Sequence, residues 1–162
     1  VVLDFYHIHK FTNKINFKYY GSLQHASKNL DSSEKFSLGG VSGIRAYPSG
    51  EASGDEGHKL SFEVQYDLSK PDMNYDLIGT LFYDYGKIRQ YKDSSNITLT
   101  TPNEYSLSGW GVSFDLIANE RAKLNLGWAQ AIGDNDGKSS SGNNSDGRGG
   151  SSRAWFQVVF RF

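Results

Sequence analysis

A period of two constrains this chain more than anything else in it. Leu60, Phe62, Val64, Tyr66 and Leu68 fall on one face of an extended segment, with Lys59, Ser61, Glu63, Gln65 and Asp67 on the other. Trp110, Val112, Phe114 and Leu116 stand opposite Gly109, Gly111, Ser113 and Asp115. Near the end, Ala154, Phe156, Val158, Phe160 and Phe162 alternate with Arg153, Trp155, Gln157, Val159 and Arg161. The pattern repeats around Ile15 to Leu23 and Leu124 to Trp128. It predicts seven strands, over roughly 1–10, 14–27, 58–69, 76–91, 105–118, 122–133 and 153–162. No helical periodicity of useful length competes with it.

The connections are ordered too. Thr12-Asn-Lys14, Ser69 to Tyr75 and Asn119-Glu-Arg121 are short turns, while Asn29 to Gly57, Lys92 to Glu104 and Asp134 to Ser152 are long and rich in Gly, Ser, Asn and Asp. Short and long alternate strictly, so every long loop leaves the same end of the sheet. Transmembrane β-barrels are built in this way, with short turns on one side and long external loops on the other. A soluble lipocalin-like barrel alternates as well, but turns its apolar face inward. Charge decides between them: Lys18, Lys59, Glu63, Asp67, Asp84, Asp115 and Lys123 are too many charges for a small barrel core. Ten Tyr, ten Phe and three Trp supply the aromatic girdles of a lipid-facing surface. The expected fold is therefore an all-β, antiparallel transmembrane barrel wall, in which seven strands are an unusual number.

Composition closes off other classes. The 162 residues carry a net charge of −1, so no polybasic surface for nucleic acid is present. With no cysteine, neither a disulfide framework nor a thiolate metal site can form. No run approaches the ~18 apolar residues of a membrane-spanning helix. The chain opens directly in strand-like Val1-Val-Leu-Asp-Phe-Tyr6, which suggests a start in mid-domain.

The longest loop carries the most unusual residues. In Phe36-Ser-Leu-Gly-Gly-Val-Ser-Gly-Ile-Arg-Ala-Tyr-Pro-Ser-Gly50, Arg45 stands beside the aromatic Tyr47. Gly39, Gly40, Gly43 and Gly50 allow tight reversals in a confined space. On a later strand, Phe82-Tyr-Asp-Tyr-Gly86 puts Asp84 on the same face as Thr80 and Phe82, with Leu81, Tyr83 and Tyr85 turned to lipid. A loop offering a guanidinium and a wall offering a carboxylate suggest a loop folded into the lumen and clamped there. Gly86 would leave room beside Asp84, and Tyr47 would pack against Phe82. Spacing alone leaves open the blander reading, an exposed arginine and one lumenal charge among many.

Ile44-Arg45-Ala46-Tyr47 resembles the V-R-G-F/Y signature of the two-partner secretion transporters, the haemolysin-activator and filamentous-haemagglutinin exporter type. Phe82-x-Asp84-x-Gly86 is similar to that family's second signature, on a late barrel strand. Leu30-Asp-Ser-Ser-Glu34, Gly39-Gly40 and Gly54-Asp55-Glu56-Gly57 are similar to the segments flanking its lumenal loop, and all come in the family's order. Ala46 departs from the usual glycine. The resemblance implies a barrel of about sixteen strands preceded by periplasmic POTRA domains, with 1–162 as the C-terminal portion of that single barrel domain. It implies a monomeric translocator that secretes one large partner exoprotein, lies in outer membrane lipid and uses no cofactor. Phe156, Val158, Phe160 and Phe162 resemble the C-terminal signal read by the barrel-assembly machinery. Two other readings stay open, a barrel-assembly insertase of the same superfamily and a simple diffusion porin.

Other motifs are weaker. His7 and His9 have metal-compatible spacing but no third ligand near in sequence, and Asp134-Asn-Asp136-Gly137 begins like a calcium loop without the closing glutamate. Asn96-Ile-Thr98 matches a glycosylation sequon by chance. Gly109-Trp-Gly111 lies within a strand and is no phosphate loop. No serine stands in a motif with a histidine and a carboxylate, so neither a catalytic residue nor a metal site is expected.

Overall fold

The computed structural model describes residues 1–118 and 121–161. Seven long strands form one sheet: β1 (Val2–Lys10), β2 (Ile15–Gln24), β5 (Glu56–Asp67), β6 (Tyr75–Arg89), β7 (Glu104–Ala118), β8 (Ala122–Ile132) and β9 (Ser152–Phe160). Inside the long loop between β2 and β5, β3 (Phe36–Ser37) and β4 (Ser53–Gly54) make a separate two-stranded ribbon. The large sheet runs β1-β2-β5-β6-β7-β8-β9, every pair antiparallel, so each long strand lies beside the next one in the chain.

Local chemistry shapes the short turns. Thr12 Oγ1 accepts the backbone N–H groups of Lys14 (3.1 Å) and Ile15 (3.0 Å), holding the β1–β2 reversal. After β5, Asp67 Oδ1 accepts the N–H of Ser69 (2.9 Å), and Ser69 Oγ in turn accepts that of Leu77 (3.0 Å). Of the third predicted turn, Asn119 and Glu120 lie outside the described residues.

The two faces of the sheet are as alternation demands, and they are the reverse of a water-soluble protein's. Ser61, Glu63, Gln65, Thr80, Asp84 and Ser113 are buried, while Phe62 (40% exposed), Val64 (45%), Trp110 (41%) and Phe114 (46%) face outward. Along the outward face Trp110 and Trp128 meet edge to face at 5.5 Å, and Phe17 stacks on Phe62 at 6.4 Å. Such a face is stable only against lipid, and it makes the sheet an arc of a transmembrane β-barrel wall.

Three details differ from the sequence reading. The strand expected over 14–27 ends at Gln24, and the strand expected from 58 begins at Glu56, because the side chain of Asp55 gathers the chain at that point. The loop between them is a folded unit with its own ribbon and a turn at Ser32–Glu34. The inner face is also not polar throughout. Phe36, Leu38, Ile44, Ala46, Tyr47 and Ala52 of the loop pack with Phe82, Ile88, Tyr105, Leu107 and Ala129 of the wall in one buried cluster. Full burial of Leu38 and Ile44 contributes roughly 1.5–3 kcal/mol each, so the loop is seated hydrophobically before any charge is counted.

Candidate functional site: the loop seated on the inner face

Strand register assembles the wall side of the site. Ser61, Asp84 and Gly109 stand on one rung across β5, β6 and β7, and Glu63, Phe82 and Gly111 on the rung two residues away. Because side chains repeat every second residue, both rungs point to the same face. Each glycine removes a side chain next to a functional one. The wall is therefore notched beside Asp84 and beside Phe82.

Arg45 lies against both rungs. Its Nε donates to Asp84 Oδ2 (2.9 Å) and its Nη2 to Asp84 Oδ1 (2.7 Å), the two-pronged geometry that suits a guanidinium and a carboxylate. The backbone N–H of Arg45 adds a third bond to Asp84 Oδ2 (3.0 Å), and Ser61 Oγ donates to Oδ1 (2.8 Å). Nη1 turns the other way and donates to Glu63 Oε1 (2.8 Å), which also accepts from the hydroxyl of Tyr20 (3.1 Å). The guanidinium lies over the Phe82 ring, 3.5 Å from its centroid. Asp84 is 0% exposed and Arg45 9%. Burial opposes the charge on Arg45, but the hydrogen bonds and charge of Asp84 outweigh it and hold the guanidinium above its ordinary pKa.

Close approach of loop side chains explains two glycines of the wall. At Gly86, a Cβ would lie 2.6 Å from Leu38 Cδ2 and 3.2 Å from Ile44 Cδ1, so the space there holds the apolar part of the loop. At Gly109 a Cβ would lie 2.5 Å from that of Ala46, so the wall glycine makes room for the alanine that replaces the usual glycine of the signature. Within the loop only Gly40 (φ 99°) and Gly50 (φ 78°) need the left-handed region. Gly39 and Gly43 serve differently: side chains there would strike the carbonyl oxygens of Pro48 and Leu38. Tyr47 is buried in the same cluster as Phe82, while the ring of Phe82 is occupied by Arg45 and lies 6.1 Å from Trp155.

The loop is fastened at two further points. At its neck, buried Asp55 accepts the N–H groups of Leu30 (3.1 Å) and Lys92 (2.8 Å) and pairs with Lys35 (3.1 Å). Burial works against its charge, yet these donors hold the carboxyl below the usual range. At the turn closed by Glu51 N–H on Pro48 O (3.2 Å), buried Glu51 accepts from the Asn135 side chain and from the N–H of Ser145 (2.7 Å), both in the loop over 133–151. Sequence reasoning put Ser61 and Glu63 on the polar face but assigned neither them, Tyr20 nor Glu51 to this site. Strand parity could have found Ser61 and Glu63, which alternate in phase with the wall facing Asp84; nothing in sequence links Glu51 to a loop some 90 residues on.

The remaining candidates stay apart. His7 and His9 are exposed on β1 and lie against Tyr19 (5.0 Å) and Phe11 (4.7 Å). Among the described residues no three His, Asp or Glu side chains gather as a metal would require. Phe156, Val158 and Phe160 of β9 are exposed on the outward face, and Phe162 lies outside the described residues. Below the Arg45 site, a cavity of about 370 Å³ is lined by polar side chains including Gln65, Thr80, Asp115, Lys123 and Gln157.

Comparison with known proteins gives the chain's family. The model of the family described as haemolysin secretion/activation protein ShlB/FhaC/HecB matches residues 1–116, a stretch that contains Arg45, Glu63, Asp84 and Gly86. The heme/hemopexin transporter protein HuxB of Haemophilus influenzae strain 86-028NP is 41% identical over 93 residues, 56% of this chain and 16% of the relative. HuxB of strain Rd is 35% identical over 112 residues, 69% of this chain and 20% of the relative. The chain thus spans a fifth or less of the curated relatives it matches. On the extent of the family match, the chain belongs to the ShlB/FhaC/HecB family of haemolysin secretion/activation proteins, the two-partner secretion transporters of the outer membrane.

Proposed function

We propose that this chain is the C-terminal part of an outer membrane translocator that exports a large partner protein through its barrel. In this reading the loop over 25–55 sits in the lumen and shapes the conduit. The observation that carries it is the seating of Arg45, whose side chain and backbone make three hydrogen bonds to Asp84 on the inner wall. A loop that only waved outside the membrane would need no buried counter-charge. Below it, the largely polar lining of the cavity, with Gln65, Thr80, Asp115, Lys123 and Gln157, gives an extended chain hydrogen-bonding walls. Outer membrane lipid covers the aromatic outward face, and Arg45, Asp84, Phe82, Tyr47 and Gly86 hold the loop. The names of the relatives make a heme- or hemopexin-linked exoprotein the first cargo to try.

The test is surface secretion of the partner by the full-length protein carrying Arg45→Ala, with heat-modifiability to check barrel insertion. An inserted barrel that no longer secretes supports an exporter in which the clamp takes part. Normal secretion makes Arg45 a scaffold residue. Secretion that never depends on this protein, together with loss of other barrels on its depletion, would make it an assembly insertase instead.

A further inference from the structure

Glu51 is the buried carboxylate that the clamp leaves unexplained. It is 6% exposed, Asn135 is 7% and Asn144 is 4%. Its two oxygens accept from the Asn135 amide and from the Ser145 N–H (2.7 Å). The Asn135 amide also reaches Asn144 Oδ1 (3.3 Å), whose own amide donates to the Gly150 carbonyl (2.9 Å), and Ser145 Oγ reaches the Ser49 carbonyl (3.5 Å). The 133–151 loop is prefolded for this task by its own turns, Gly142 N–H to Ser139 O (2.8 Å) and Gly147 N–H to Asn144 O (2.9 Å).

Two features separate this contact from the Arg45 site. First, the donors to Glu51 among the described residues are neutral, whereas Asp84 holds a guanidinium. A buried carboxylate without a counter-ion is offset against its own desolvation, so the contact is specific but easily exchanged for water. Second, a cavity of about 750 Å³ between the 133–151 loop and Thr100-Thr-Pro102 opens onto Glu51, Asn144 and Ser145. A polar chain or water entering there meets the same donors and acceptors.

We propose that Glu51 is a positioning residue that forms a releasable second latch, by which the last long loop straps the Pro48–Glu51 turn of the 25–55 loop and keeps the external mouth of the lumen closed. The Arg45 site holds the middle of the loop, and the strap must let go before the Pro48–Glu51 turn can move. This rests on the lumenal seating proposed above, though not on any cargo.

Single-channel recording of the purified full-length protein in planar bilayers tests it without a partner. Asn135→Ala should raise the fraction of time spent open on the order of tenfold, the population shift set by one hydrogen bond to a charged group. Ser49→Cys with Ser145→Cys, bridged by a bismaleimide, should suppress opening, and no cysteine in this chain competes. Heat-modifiability confirms that each protein is inserted. Unchanged opening in both variants overturns the latch, whatever happens to export. Opening altered as described, with no export by the unsubstituted protein in a parallel assay, sinks the export reading and leaves the latch standing.

Discussion

The covered and uncovered halves of the inner wall carry the same kind of sequence and solve it differently. Beneath the loop, Asp84 has among the described residues no cation on its own or neighbouring strands at bonding distance, and its counter-charge arrives on Arg45, 39 residues away. In the open half, Asp115 is paired on the wall itself, with Lys123 at 3.0 Å and the Asn125 amide at 2.8 Å. The glycines divide the same way: Gly86 and Gly109 accept loop atoms, whereas Gly127, below, is covered by the ring of its neighbour Trp155. A wall charge that is satisfied locally leaves the lumen free. One that is left unsatisfied recruits a loop.

The largest expected difference between the halves is electrostatic. Arg45→Ala strands buried Asp84 and should cost about 3–5 kcal/mol, while Lys123→Ala, removing a half-exposed partner, should cost below about 1 kcal/mol. The temperature at which the heat-modifiable folded band disappears reads both; equal shifts would erase the distinction. Arg45→Lys should fall between, since an ammonium cannot span Asp84 and Glu63 with the same fork.

Packing sharpens the comparison next. Gly109→Ala should cost about 1–3 kcal/mol by overpacking against Ala46, and Ala46→Gly should restore much of it. A double-mutant cycle with no coupling would mean that the Gln130 carbonyl, 3.1 Å from the added Cβ, is what requires the glycine.

The neck should respond to acid. Because the folded-state pKa of Asp55 is lowered, its contribution is present above the ordinary carboxylate value and lost as pH falls below it. Protease nicking within 92–103 should rise on acidification and become pH-independent over that range in Asp55→Asn. Nicking that rises equally in both proteins removes Asp55 from the neck.

The smallest effect is expected at Tyr47. Its hydroxyl is buried with no hydrogen-bond partner among the described residues, and burial, with Glu51 and Asp134 nearby, pushes its pKa up to about 12. Tyr47→Phe should therefore stay within about 1 kcal/mol of the parent, on the stabilising side. A clear loss of stability would reveal a bond through that hydroxyl.

Much of the wall was legible because alternation is a local property. The faces of Leu60 to Leu68, the inward turn of Asp84 and the alternation of turns and loops need only neighbouring residues. The loop was less so. Its ribbon at Phe36–Ser37 and Ser53–Gly54 is too short to show a period, and it forms because Leu38 and Ile44 have a wall to pack against. Ile88, Tyr105 and Leu107 sit in phase with the polar face and break its rule, a signal present in the sequence but easily taken for noise.

By itself, then, the sequence determined an all-β wall, its two faces, the end from which the long loops leave, and the residues Arg45 and Asp84. Register, a nearest-neighbour property with a period of two, suffices for the wall, its faces and the inward turn of Asp84; loop lengths marked the end, and the resemblance to the family's signature marked Arg45. Only the tertiary structure decided that Glu63 and Ser61 complete the Arg45 site, that Gly109 makes room for Ala46, and that Glu51 meets Asn135 and Ser145. Those contacts join segments far apart in the chain, and a buried charge takes whichever donor the fold delivers.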